Sequence, residues 1–341
     1  MTLKDIAKEC GVSMMTVSNV ISGNHKKVSA ATIEKVNAVI KKYDYVPNLM
    51  ARTLSSKSSH LILLVIPTIK KEELSTLYNQ YLTELISSIE RELVSNGYFV
   101  LLHSVAEPKE IEMMYKTWNI DGAIFLLPLF NKMVTEVNDY DKKNFVLIDS
   151  YADIPGVLYS RCDDELGTYR ATSYLISKGH TRILYAAEHY AKNLLLERRY
   201  AGYVRALKEH NLEVQDELYA PIVPNYYGGL EYGKSLTRDK LNFTGVVTTS
   251  DMCALGIMQG ALENGLHVPE DYSLIGFDNL SLCNFSNPKL TSIDQQTSEK
   301  GVRAVHMLLD KLQGKEVPTV LSTETELVSR ESVRDLTDFH N

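Results

Sequence analysis

From residue 61 onward the chain alternates short apolar runs with longer amphipathic stretches, and it does so twice. LILLVIP at 61–67 reads as a buried strand, Tyr78 to Ser95 as a helix, YFVLLHS from Tyr98 as a strand and Ile111 to Trp118 as a helix. GAIFLLP from Gly122 and FVLIDS from Phe145 continue as strands. In the second series the helices are Thr168 to Lys178, Arg198 to His210, Gly229 to Leu236 and Ala254 to Asn264. Its strands are RILYAA from Arg182, a stretch near Tyr219 to Val223, GVVTTSD from Gly245 and SLIGFDN from Ser273. Apolar strands separated by helices imply parallel sheets, because parallel neighbours need a crossover connection rather than a tight turn. Two series of similar size imply two lobes, with ligands expected at the carboxyl ends of strands in the cleft between them.

The first 59 residues follow other rules. Leu3, Ile6, Ala7 and Cys10 share one face of a short helix that ends at Gly11. Ser13 is placed to cap a second helix, Met14 to Ile21, with Val17, Val20 and Ile21 inward and Met14, Met15, Ser18, Asn19 and Ser22 outward. After SGNHKK, Ser29 is placed to cap a third helix through Ile33, Val36, Val39 and Ile40 to Tyr43. Two short helices joined through Gly11, Val12 and Ser13 have the dimensions of a helix-turn-helix. The fold class is thus α/β, a three-helix headpiece followed by a two-lobed body.

Charge separates the same two parts. The whole chain of 341 residues carries −7, but residues 1–59 hold eight Lys and one Arg against two Asp and two Glu, a local +5 on a body of −12. A basic end on an acidic body points to nucleic acid. The seam is YVPNLMARTL, Tyr45 to Leu54, where Pro47 resists continuation of the helix before it and Asn48 can cap a new one. A helix over Leu49 to Leu54 is too short to persist alone, so DNA or a partner chain must hold it.

Other classes are set aside. Four cysteines (Cys10, Cys162, Cys253, Cys283) and nine histidines have no metal-like spacing, so reduced core thiols, no metal and no cofactor are expected. The N-terminus lacks a basic region followed by an apolar run, and no apolar run approaches a membrane span, so a soluble cytoplasmic protein is expected. No GxSxG, HExxH or GxGxxG occurs. GGLEYGKS, Gly228 to Ser235, satisfies the phosphate-loop expression GxxxxGK[ST], but Pro221 and Pro224 interrupt the apolar run before it. An enzyme is not expected.

TLKDIAKECGVSMMTVSNVISG, then VSAATIEKVNAVIKKYDYVPNLMARTL, closely resembles the headpiece and hinge of the LacI/GalR family of bacterial transcription regulators. DGAIFLLP, GHTRILYAA, RRYAGYVRAL, TSDMCALGIMQGALENGLHVPEDYSLIGFDN, PKLTSIDQ and ELVSRESV extend the resemblance along the whole chain. It implies a headpiece at 1–45, a hinge at 46–59 and a body at 60–341 similar to periplasmic sugar-binding proteins. Crossovers near Tyr159 to Asp163, Ser292 to Gln295 and Thr323 to Thr325 would divide the body into a first lobe (about 60–161 and 293–323) and a second (about 162–292 and 324–341). A homodimer on a pseudopalindromic operator is implied, with a phosphorylated carrier protein as an alternative controlling partner.

By correspondence with the family, Met14, Met15 and Asn19 face the bases, where Asn19 suits adenine and a methionine suits a thymine methyl. Ser13, Thr16, Ser18, Ser22 and Lys26 are candidates for phosphate contacts. Leu54 corresponds to the leucine wedged into the minor groove, Ala51 allows two hinge helices to approach, and Asn48 positions the hinge. In the cleft, Arg199 corresponds to the arginine that grips ligand oxygens, and Asp278, following an apolar strand, offers a carboxylate to hydroxyls. Ser250 and Gln295 match further cleft positions, while Asp251 can instead fasten its own loop. The family's PDxxNPFF is absent, which leaves Asn79 and Tyr81 as shifted counterparts. Gly228 stands where a stacking aromatic is common, so Tyr227 or Tyr226 substitutes only if the loop is displaced. A sugar or sugar phosphate is the expected effector.

Overall fold

The computed structural model describes residues 2–21, 23–25, 28–45, 58–67, 79–105, 107–126, 134, 136, 144–188 and 193–337. It divides into two compact units, Met1–Ser59 and His60–Asn341.

The first unit holds α1 (Leu3–Cys10), α2 (Met14–Ile21) and α3 (Ala30–Lys42). A capping box starts α1: Thr2 Oγ1 accepts from the Asp5 amide at 3.3 Å and Asp5 Oδ2 accepts from the Thr2 amide at 2.8 Å. Gly11 ends α1 in the left-handed region, φ 62°, which no residue with a Cβ occupies as cheaply. Ser13 and Ser29 accept from the amides three residues on, at 3.1 and 3.3 Å, so each following helix begins where the sequence predicts. Ile6, Ala7, Cys10, Val17, Val20, Val36 and Val39 close into one small core.

The body contains two six-stranded sheets. The first is built from β1 (Leu61–Pro67), β2 (Phe99–Val105), β3 (Gly122–Leu126), β4 (Phe145–Ile148), β5 (Leu158–Cys162) and β11 (Val320–Thr323), in the order β11-β5-β4-β3-β1-β2. The second is built from β6 (Ile183–Ala187), β7 (Tyr219–Pro221), β8 (Gly245–Thr248), β9 (Ser273–Asp278), β10 (Thr291–Asp294) and β12 (Glu326–Val328), in the order β12-β10-β9-β8-β6-β7. All pairings are parallel except β10 with β12. The parallel α/β architecture expected from the alternating pattern is what forms.

Helices α4 (Gln80–Ser95), α5 (Pro108–Trp118) and α10 (Thr297–Leu312) cover the first sheet, whose two faces carry separate apolar clusters. Around the second sheet lie α6 (Asp164–Ser177), α7 (Leu194–Glu209), α8 (Tyr226–Ser235) and α9 (Asp251–Leu262). These four helices begin earlier than their apolar periodicity alone predicts. Asp163, Asn193, Asn225 and Ser250 each cap one, accepting from an amide of the first turn.

The chain passes between lobes at Asp163, at Gln295–Gln296 and at Glu324–Thr325, between elements that belong to different sheets. Ile293 and Asp294 pair with Phe277 and Asp278 in the second sheet, so the return to the first lobe falls just after the expected residue 293. Among the described residues, no helix is long and apolar enough to cross a membrane.

Candidate functional site

On the headpiece, Met14 and Met15 begin α2 and stand 55% and 71% exposed, while Val17 and Val20 hold the opposite face in the core. Asn19 and Ser18 are half-buried on the outward side, and Ser13 and Thr16 share a hydroxyl contact of 2.9 Å at the start of the helix. Two large apolar side chains left in water at a helix N-terminus gain nothing for the isolated headpiece, but suit contact with base edges. Ser22, Lys26, Asn48, Ala51 and Leu54 lie outside the described residues.

In the body, polar side chains collect where the strands end. Asp149 follows β4, Asp278 ends β9, Gln295 follows β10, and Lys300 projects from the first turns of α10. Lys300 Nζ donates to Asp149 Oδ1 and to Gln295 Oε1, both at 2.6 Å, and is wholly buried. Tyr81 donates its hydroxyl to Asp149, and Gln295 Nε2 donates to Asp278. The network thus runs from the first lobe (Tyr81, Asp149, Lys300) through a passage residue (Gln295) to the second lobe (Asp278). Gln80 Nε2 donates to Ser281 Oγ at 2.8 Å, a further bond between the lobes.

Arg199 stands beside this network on α7. Its Nε donates to Asp164 Oδ1 at 2.8 Å, a terminal nitrogen donates to the Thr249 carbonyl at 2.6 Å, and the guanidinium lies 3.7 Å from the Phe277 ring centre. Tyr151 donates to the other Asp164 oxygen at 2.9 Å. Asp251, at the start of α9, accepts from Ser292, from the Leu280 amide at 2.7 Å and from Cys283 at 3.1 Å. It fastens the loop after β9 rather than its own loop, the role expected from sequence, because its buried side chain reaches the Leu280 amide across the sheet end.

Burial governs protonation here. It pushes the Asp278 carboxyl well above the usual range, nearby Asp251 adds to this, and Arg199 and Lys300 oppose it. Burial likewise raises Asp251 to about 6. For Lys300 burial works toward the neutral amine, yet Asp149 together with Cys162 and Asp164 outweighs it and the net shift is upward. Burial also opposes the Arg199 charge, and Asp164 and Asp278 overcome it. Both cations therefore stay charged, each already matched by a carboxylate.

The residues expected in the cleft divide into two groups. Tyr81, Arg199, Asp278 and Gln295 are brought together. Asn79 caps α4, its exposed side chain accepting from the Leu82 amide at 3.2 Å. Ser250 caps α9 and donates to the Pro224 carbonyl at 3.0 Å. Tyr227 is 57% exposed in the first turn of α8, edge-on to Tyr226. Asp149, Asp164, Tyr151 and Lys300 join the network without being among the residues expected from sequence. The rule that singles out Asp278, an acid closing an apolar strand, applies equally to Asp149 after FVLI. Lys300 gives no such signal, since a lysine in an amphipathic helix reads as a solvent-facing residue.

GGLEYGKS lies wholly inside α8. A Cβ at Gly229 would meet the Cys253 carbonyl at 2.2 Å and one at Gly233 the Ile257 carbonyl at 2.4 Å. These glycines let α8 approach α9; a phosphate loop needs its glycines before the helix, with amides pointing out.

Residues 2–48 match the family model described as bacterial regulatory proteins, lacI family, and residues 172–333 match that of a periplasmic binding protein-like domain. The transcriptional repressor PurR of Vibrio parahaemolyticus serotype O3:K6 is 30% identical over 357 residues, covering 98% of this chain and 99% of that one. A LacI family regulator from Enterococcus faecium with bound ribose is similar with a TM-score of 0.71 at 25% identity, covering 81% of this chain and 100% of that one. The regulator CelR in complex with cellobiose gives a TM-score of 0.69 at 26% identity, over 97% and 99%. A helical headpiece, two lobes built on parallel sheets and a full-length relative agree: this chain belongs to the LacI family of bacterial DNA-binding transcription regulators.

Proposed function

We propose that this chain is a homodimeric repressor of carbohydrate-use genes, controlled by a carbohydrate in the cleft between the lobes of its body. The observation that carries the effector reading is the convergence of Tyr81, Asp149 and Lys300 from one lobe with Asp278 and Arg199 from the other, around Gln295. A ligand exchanging partners with Asp278 or Gln295 acts on both lobes at once, and so has a different affinity for each arrangement of the lobes. That difference is what regulation requires. Ribose and cellobiose in the two similar structures support the class of ligand.

On DNA, two headpieces occupy the halves of a pseudopalindrome, with Met14, Met15 and Asn19 at base edges and Leu54 as the minor-groove wedge. The acidic body repels DNA, so affinity rests on the basic headpiece and falls steeply with salt. The test is fluorescence anisotropy of full-length protein on labelled DNA from its own promoter region, titrated with salt and with a sugar panel. The reading predicts specific, salt-sensitive binding that one sugar changes about five- to 150-fold. Binding with no sequence preference would overturn the DNA reading, and binding indifferent to every sugar the effector reading.

A further inference from the structure

At the mouth of the cleft a cavity of about 300 Å³ opens between α4, the end of β9 and the start of α10. That volume suits a ligand of monosaccharide size. Its lining includes four carboxylates, Glu84, Asp278, Asp294 and Glu299, and no lysine or arginine. Glu299 is offset by Arg303 at 2.8 Å, and Asp294 is occupied by the Asn279 amide at 3.0 Å and the Gln296 backbone amide at 2.6 Å. Glu84 accepts only a hydroxyl, from Ser298 at 3.1 Å, among the bonds resolved. Asp278 accepts from a neutral amide, and burial favours its protonated form, which a cation beside it would reverse; among the described residues neither it nor Glu84 takes part in an ion pair.

Two arginines touch the lining: Arg303 is matched by Glu299, and Arg330 is held by the Asn279 side chain at 2.6 Å, the Asn284 side chain and the Leu290 carbonyl. The two buried cations lie behind the cavity. Arg199 is matched by Asp164 and Lys300 by Asp149, so an anionic ligand would have to strip a buried carboxylate of its partner. One further lining group lacks a partner: the Thr297 hydroxyl is buried, its residue only 3% exposed, and makes no hydrogen bond. Thr297 opens α10, whose N-cap Gln296 contributes no side-chain bond, so the first-turn amides are also open to a ligand oxygen. A metal ion is not what these groups fit, since among the described residues no set of three or more His, Cys, Asp or Glu side chains converges on one point.

We propose that the cleft effector carries a protonated amine beside its hydroxyls, as an amino sugar or amino polyol does, with the ammonium received by Asp278 and Glu84 and a hydroxyl by Thr297. This rests on the cleft being the effector site and names the chemistry that site selects. Sugar phosphates and sugar acids are disfavoured by the same carboxylates.

The experiment is isothermal titration calorimetry of full-length protein at pH 7 with glucosamine, galactosamine and mannosamine, their parent hexoses, and the 6-phosphates of those hexoses. At least one amine should bind about tenfold or more tighter than its parent, the worth of one charge-assisted hydrogen bond, with the phosphate weakest. Asp278→Asn should abolish the preference, and Glu84→Gln should reduce it, both with unchanged circular-dichroism melting. A parent hexose or phosphate that binds as tightly as the amine, or a preference that survives both substitutions, overturns the proposal while leaving the cleft an effector site. Silence from every probe, charged and neutral, overturns the effector reading itself and the proposal with it.

Discussion

The headpiece and the cleft use polar chemistry in opposite ways. On the headpiece the proposed reading groups face water: Met15 is 71% exposed, among the described residues the Ser13 and Thr16 hydroxyls bond each other and Ser13 a helix amide, and stability comes from a small apolar core with a cap on each helix. In the cleft the functional groups are buried and bonded to one another, with Lys300 held by Asp149 and Gln295, and Gln295 holding Asp278. Both regions use positive φ, the headpiece at Gly11 (φ 62°) and Asp44 (φ 46°), the cleft at Asp149 (φ 58°), Asp278 (φ 122°) and Gln296 (φ 53°). Strain at residues with side chains persists where surrounding structure over-determines it, and here it fixes acids at strand ends. A surface that docks on DNA, whose shape is given, needs its side chains outward. A pocket that must respond needs groups whose partners can be exchanged.

The contrast breaks most readily at Lys300. Lys300→Met keeps the length of the side chain but leaves the Asp149 carboxylate buried without its cation, and should cost about 3–5 kcal/mol in urea denaturation. Adding Asp149→Asn should recover part of that loss, because it removes the unpaired buried charge while keeping an acceptor for Tyr81 and a residue that tolerates φ 58°. On the headpiece, Lys42 pairs with Glu9 at 2.9 Å but is 61% exposed, and Lys42→Met should leave the urea midpoint unchanged. Equal effects at the two lysines would remove the distinction.

A second test uses pH. Asp251 is raised to about 6 in the folded chain by burial, so between about pH 4 and 6 the folded state holds a proton that the unfolded state has released. Its contribution to stability is therefore full below about pH 4, is lost as pH rises through about 6, and is flat above that. The wild-type minus Asp251→Asn difference in unfolding free energy should fall by the order of 2–3 kcal/mol across that window. Asp5 and Glu9 of the headpiece lie below their ordinary values, through hydrogen bonds from Thr2 and Lys42 respectively. Their contributions have the opposite sign, present above the unfolded value and lost as pH falls through the folded one. A difference curve that rises with pH would contradict the burial of Asp251.

How legible each region was in the sequence follows from the same physics. The headpiece is local: caps lie three residues from the amides they serve and apolar residues recur at helical spacing, so α1 and α2 were readable residue by residue. β1, β3, β4, β8 and β9 are visible as apolar runs. The polar β5 and β10, and the short β11 and β12, exist because a neighbouring edge pairs with them, and no window of sequence contains that neighbour. The cleft was half legible. Asp278 follows from the strand before it, while Lys300 becomes a cleft residue only because α10 packs its first turns against β4 and β5, bringing it to Asp149, 151 positions away in sequence.

Asn19 offers a narrower test in which binding and stability separate. Asn19→Ala should cost operator affinity about 1–3 kcal/mol by anisotropy at fixed salt, chiefly on sites with adenine at the facing position. Because Asn19 lies outside the headpiece core, the urea midpoint should not move. Uniform weakening on all sequences would make Asn19 a positioning residue, leaving base readout to the two methionines.

The smallest effect expected is at Thr2. Its hydroxyl and amide exchange bonds with Asp5 at 3.3 and 2.8 Å, and together these close the start of α1, a helix of only eight residues that cannot hold itself in water. Thr2→Ala removes the side-chain acceptor and should cost about 1 kcal/mol, seen as roughly fivefold faster amide exchange across α1 in the full chain. The body should show no change, since Thr2 belongs to the other compact unit. Operator affinity should fall by no more than the small fraction of headpiece that the lost cap unfolds, because Thr2 sits on α1 and the reading face is α2. A loss of affinity well beyond fivefold would mean that Thr2 itself touches DNA, and would extend the reading surface of the headpiece onto the start of its first helix.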